Sequence, residues 1–150
     1  MRARWLLMAL VSVGGCFQDS TPQHSDLLPL DYQSSGQFKN VRPCRLVQKH
    51  DNHYQTLFAN LTAADLYSAA SFPLPAGSVV VAEEHDDPSC SSLIGFRLMA
   101  KEAAGYDPAN GDWHWQELDG NQRVLKDGRL TACSSCHAQP PCNDFLCSPP

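Results

Sequence analysis

The sequence predicts an α+β domain in which β dominates: a small antiparallel sheet, one or two short helices, and a cysteine-bearing C-terminal segment. Three observations carry this. Apolar runs of strand length, Ser78–Glu84, Leu93–Lys101 and Asp112–Leu118, follow one another with turn-forming residues between them. One short helical pattern stands among them, beginning at Thr62. The chain has 150 residues, 43% hydrophobic and 18% charged, which suits a single domain with a core and excludes wholesale disorder. Its formal charge of −5 excludes a binder of phosphate backbones, so no nucleic-acid partner is expected.

In chain order, Arg2 and Arg4 precede a short apolar run from Trp5 to Val13. A bilayer span wants about 20 residues, so residues 1–15 read as a signal peptide. Val13-Gly14-Gly15-Cys16 resembles the lipobox of bacterial lipoproteins, which implies lipidation of Cys16. The expected address is a bacterial membrane, held by lipid, facing the periplasm or exterior. Residues 16–40 are rich in Ser, Gln, Asp and Pro and read as a flexible tether, leaving 41–150 as the domain.

Arg45–Lys49 reads as a short strand. Thr62 with Asp65 three residues on resembles a capping box for TAADLYSAA, which must end before Pro73. Three strands follow, the loop Gly105–Gly111 lying between the last two, and a short strand is expected at Gln122–Lys126. In Asp112–Leu118 the alternation gives Trp113, Trp115 and Glu117 one face, with the tryptophans as core or interface aromatics.

Cys133-Ser134-Ser135-Cys136-His137 is a C-x-x-C-H sequence. Two thiols one helical turn apart can each add to a haem vinyl group, and the adjacent imidazole then reaches the iron. The expected cofactor is one covalently bound haem c, held by Cys133 and Cys136 with His137 as proximal iron ligand. This chemistry belongs to exported proteins, in agreement with the signal sequence. The alternative is a zinc-bound structural module using Cys133, Cys136, Cys142 and Cys147, although the second pair is spaced differently from the first. Of the seven cysteines, Cys44, Cys90, Cys142 and Cys147 then remain as disulfide candidates, with three possible pairings. Cys44–Cys90 with Cys142–Cys147 is preferred because the latter closes a short local loop.

From about residue 44 to 147 the chain resembles the cytochrome P-460 family, which includes the beta-type cytochromes c-prime. The resemblance rests on the order of a helix, Leu74-Pro75-Ala76-Gly77-Ser78-Val79-Val80-Val81, Met99-Ala100-Lys101, Gly105-Tyr106-Asp107-Pro108, Gly111-Asp112-Trp113, the C-x-x-C-H and Asp144-Phe145-Leu146. It implies a haem held against an antiparallel sheet, an apolar distal pocket and often a homodimer. Hydroxylamine-oxidising members carry a lysine bonded to the haem, and the matching position here is Ala82. Lys101 matches another family position and is expected to face solvent, so the cross-link is expected to be absent.

The distal pocket candidates are Val79, Val81, Ala82, Phe96, Leu98 and Met99, with the face of Ala82 toward the haem. Met99 or His114 could instead complete a six-coordinate iron. Otherwise Met99 is core and His114 a solvent-facing strand residue. His50, His53 and His85 show no ligand spacing, and Glu83 with Glu84 read as strand-edge charges. The expected function is binding of a small gaseous or nitrogen-oxide ligand such as nitric oxide, or single-electron transfer to an unidentified redox partner. The enzymatic alternative is an oxidoreductase acting on hydroxylamine or nitric oxide.

Overall fold

A computed structural model describes residues 23–147, so the signal segment and Cys16 lie outside the described residues. Six strands pair in sequence order as one antiparallel meander: β1 (Phe38–Val47), β2 (His53–Asn60), β3 (Val79–His85), β4 (Leu93–Lys101), β5 (Trp113–Asp119) and β6 (Val124–Gly128). Helix α1 (Leu61–Ser68) separates β2 from β3, and α2 (Thr131–His137) follows β6. The β-dominant α+β expectation is thus what the chain adopts. β4 has the predicted bounds; β3 and β5 start one residue later than predicted and β6 two.

β1 is longer than expected and β2 was not anticipated. Along β2, Gln55, Leu57 and Ala59 pair toward one face while Thr56 and Phe58 occupy the other. A sheet covered on both faces does not show the apolar/polar alternation that reveals a half-exposed strand. α1 starts one residue before Thr62, and its cap is Asn60 rather than a capping box. The Asn60 Oδ1 accepts from Ala63 N at 3.2 Å and from Val79 N at 3.1 Å, while its Nδ2 donates to Gly77 O at 2.8 Å. One side chain therefore caps the helix and fixes the entry to β3.

The two faces carry separate cores. On the first, α1 lays Ala63, Ala64 and Tyr67 over Ala59, Val80, Met99, Trp113 and Trp115. On the second, Val81, Phe96, Leu98 and Leu118 pack with Leu28 and Tyr32. This corrects the tether expected at 16–40. From His24 onward the segment lies on the sheet, bridged to Arg123 and buried at Leu28 and Tyr32, and β1 itself begins at Phe38. Two apolar residues four apart in a polar run gave no periodic signal, yet they close an otherwise open sheet face.

Disulfides join Cys44 to Cys90 and Cys142 to Cys147, the preferred pairing. The first ties β1 to the β3–β4 connection; the second closes the loop after α2. Glu83 and Glu84 are buried in an internal strand, not edge charges. Glu83 accepts hydrogen bonds from Tyr32 Oη and Gln33 Nε2, and His85 stands beside it at 3.3 Å on the same second face.

Candidate functional site

Antiparallel register aligns Arg42, Leu57, Ala82, Arg97, Glu117 and Lys126 in one row across the first face. The neighbouring row contains Ala59, Val80, Met99 and Trp115. Between this face and α2 lies a cavity of about 860 Å³, walled by residues of these rows together with the β1–β2 turn and Leu146. That volume is at the upper end for a small-molecule or cofactor pocket. Its floor is apolar at Leu57, Val80, Ala82 and Met99, and Trp115 adds a buried indole N–H with no hydrogen-bond partner among the described residues.

All three residues of the C-x-x-C-H motif line this cavity. The helix α2 gives Cys133 and Cys136 their one-turn separation. Both thiols are free, whereas the other four described cysteines are paired. Burial pushes the Cys133 thiol up, against the opposing influence of Arg97. His137 Nδ1 lies 2.6 Å from the carbonyl oxygen of Phe145. A carbonyl only accepts, so Nδ1 carries the proton and Nε2 keeps its lone pair. Burial lowers the His137 pKa, which favours the neutral ring. The Trp115 ring stands edge-on to it at 4.9 Å between centroids.

This donor set fits a c-type haem: two unpaired thiols at the right spacing, an oriented neutral imidazole and adjoining space. It does not fit the four-cysteine zinc alternative, because Cys142 and Cys147 have spent their sulfurs on each other.

Of the distal candidates, Ala82 and Met99 line the cavity; Leu98 borders it although its side chain belongs to the second core. Val79, Val81 and Phe96 are corrected to the opposite face, where they pack with Leu28 and Tyr32. The reason is the period of 2: the face that holds Ala82 holds Val80, so Val79 and Val81 must leave it. His114 also faces away from the cavity, bonded to Glu102 at 3.2 Å and Asp127 at 2.6 Å. Lys101 is not solvent-facing. Its ammonium contacts Asp144 at 2.5 Å and lies over the Trp113 ring.

Lining residues that sequence reasoning did not place at the site include Arg42, His50, Arg97, Glu117 and Lys126. Arg97 bonds Glu84 at 3.0 Å and Glu117 at 2.7 Å, and Glu117 also takes Lys126 at 2.7 Å. Cross-strand register was the missing signal, since opposite charges lie directly opposite at Arg97, Glu117 and Lys126. His50 sits in the β1–β2 turn, 3.4 Å from Glu84 and with its ring 6.0 Å from that of His137.

Burial opposes ionisation of Glu84, but His50 and Arg97 outweigh it and leave the pKa below 4.5. A depressed carboxylate stabilises the fold above its unfolded pKa and loses that contribution as pH falls through the folded value. Glu84→Gln is therefore expected to cost about 2 kcal/mol near neutrality. The gap from the parent should close as pH drops below about 4.5, read from urea melts across pH. A gap independent of pH would contradict the assignment.

Compared with protein-family models and with curated proteins, the chain has no match in either.

Proposed function

We propose that this chain is an exported, lipid-anchored protein holding one haem c through Cys133 and Cys136, with His137 as proximal ligand. Its function would be to take up a small ligand such as nitric oxide at the open side of the iron, or to pass single electrons. The single observation carrying this is a pair of free thiols and an oriented imidazole on one wall of a cofactor-sized cavity. When bound, the haem supplies an iron that changes charge by one electron and can coordinate a diatomic molecule.

The chain's own residues set the conditions. The Phe145 carbonyl fixes the His137 tautomer and raises its basicity as a ligand. Leu57, Val80, Ala82 and Met99 exclude water from the cavity floor. With alanine at position 82, the lysyl bond of hydroxylamine-oxidising relatives has no donor there. Two disulfides are compatible with export. An acidic chain suits docking to a basic redox partner.

One observation favours the oxidoreductase alternative. His50 lines the cavity and is hydrogen-bonded to Glu84, an acid–base pair able to hold or move a proton for hydroxylamine or nitric oxide.

The test is expression of the full chain with cytochrome-maturation machinery, followed by a pyridine haemochrome spectrum. Thioether-linked haem is expected, and a reduced spectrum that changes on adding nitric oxide. Absence of haem with stoichiometric zinc would refute the proposal. A six-coordinate spectrum indifferent to the gas would assign electron carriage alone, and hydroxylamine turnover the enzymatic reading.

A further inference from the structure

One cavity residue is left unexplained by thioether attachment and iron ligation. Arg42 is only 2% exposed, yet it belongs to the cavity wall. None of its Nε, Nη1 and Nη2 atoms has a hydrogen-bond partner among the described residues, and all three are covered, so an anion in the cavity meets them only when the side chain shifts toward it. Burial, reinforced by Arg45, lowers its pKa to about 10, so the group remains a cation at neutral pH. The nearby Tyr67 does not neutralise it, because burial pushes that phenol's pKa up and keeps it uncharged.

An isolated buried charge is among the costliest groups a fold can hold, and buried guanidinium donors are almost always paired. Arg97 and Lys126, on the same wall, already have Glu84 and Glu117 as partners. Around Arg42 the wall is completed by Arg45, Lys49, His50 and Asp51, so the β1 side of the cavity is positive in a protein of negative net charge.

We propose that Arg42 is the receptor for an anionic oxygen group inside the cavity, a carboxylate or a small oxyanion of like shape. A planar guanidinium fork matches two oxygens on one atom, the geometry shared by carboxylate and nitrite. The anion has two possible sources. A carboxylate side arm of the bound haem is one, and that source rests on the function proposed above. A free oxyanion such as nitrite is the other, and that source does not.

The experiment uses the full-length protein with whatever cofactor it carries, as the parent, Arg42→Met and Arg42→Lys. Sodium nitrite is titrated calorimetrically at neutral pH; where haem is present, it is reduced and saturated with carbon monoxide so that the iron is blocked. The midpoint potential is measured in parallel. For a free oxyanion, the parent binds nitrite, Arg42→Met binds roughly tenfold to hundredfold more weakly, and Arg42→Lys falls between. For a haem carboxylate, the parent ignores nitrite, and Arg42→Met lowers the potential because the cation that would offset the haem's carboxylate charge is lost. Arg42→Lys then restores most of it. If Arg42→Met does not fold, Arg42→Gln carries the same tests, since it removes the charge while keeping a hydrogen-bonding side chain. Nitrite binding and potential both indifferent to the substitutions would overturn the proposal. So would a haem-free protein that does not bind nitrite. A haem-free protein whose nitrite binding depends on Arg42 would overturn only the proposed function.

Discussion

Serine at both Cys133 and Cys136 is expected to abolish covalent pigment while leaving the sheet in place. The substitution removes the sulfurs and little else, because neither residue is in a disulfide and Cys136 is exposed. Cys133 packs against the edge of the first core, so its replacement is expected to cost about 1 kcal/mol. The six strands and both disulfides form without either thiol. Haem staining of a denaturing gel should therefore fall to background in the double variant, while far-ultraviolet circular dichroism keeps its β signature. Each single variant should retain pigment through one remaining thioether. The informative control is Cys142→Ser with Cys147→Ser. A four-thiolate metal site would be lost with that pair as surely as with the first, whereas a haem held by Cys133 and Cys136 keeps its attachment. Pigment resistant to denaturation in the Cys133/Cys136 double variant would sink the attachment assignment.

The elements that could be read along the chain are those whose signal is local. β4 was legible because nine residues rich in apolar groups are bounded by turns on both sides. The C-x-x-C-H was legible because its chemistry lies within five consecutive residues. What escaped depends on pairing across the sheet. In β3 the resemblance set the Ala82 face toward the haem, yet Val79 and Val81 stood among the distal candidates although alternation carries them, unlike Val80, to the opposite face. Arg42 and His50 reach the cavity only because β1 and its turn fold beside β2 and β3. Leu28 and Tyr32 looked like stray apolar residues in a polar segment. Their partners, Val81, Phe96 and Leu98, are at least 49 positions away in sequence. Lys101 was misjudged for the same reason, since Asp144 approaches it from 43 residues downstream.

That last contact supports the second large effect. Asp144→Ala is expected to destabilise the fold by about 3–5 kcal/mol, the cost of leaving a buried charge without its partner. Asp144 and Lys101 side chains are 8% and 11% exposed, so the abandoned ammonium cannot simply turn to water. The carboxylate has a second role, accepting from Leu74 N at 2.8 Å, and the Asp144 carbonyl accepts from Trp113 Nε1 at 2.9 Å. These bonds pin a turn in which Asp144 and Phe145 both adopt left-handed backbone angles, with φ of 48° and 64°. Such angles are unfavourable for residues with side chains and persist only where surrounding contacts impose them. The turn matters because the next carbonyl along, that of Phe145, holds His137 Nδ1. Asp144 is thus a positioning residue: it acts on His137 through the backbone and touches no ligand itself. Urea unfolding should show the stability loss, and Lys101→Met combined with Asp144→Leu should recover much of it by removing both charges. Stability alone does not separate positioning from packing. In the haem-loaded protein, the double variant should still show a weakened iron–histidine stretch by resonance Raman, because the Leu74 tie is gone. Recovery of stability with an unchanged stretch would mean that the turn holds Phe145 without Asp144, and the positioning role would fall.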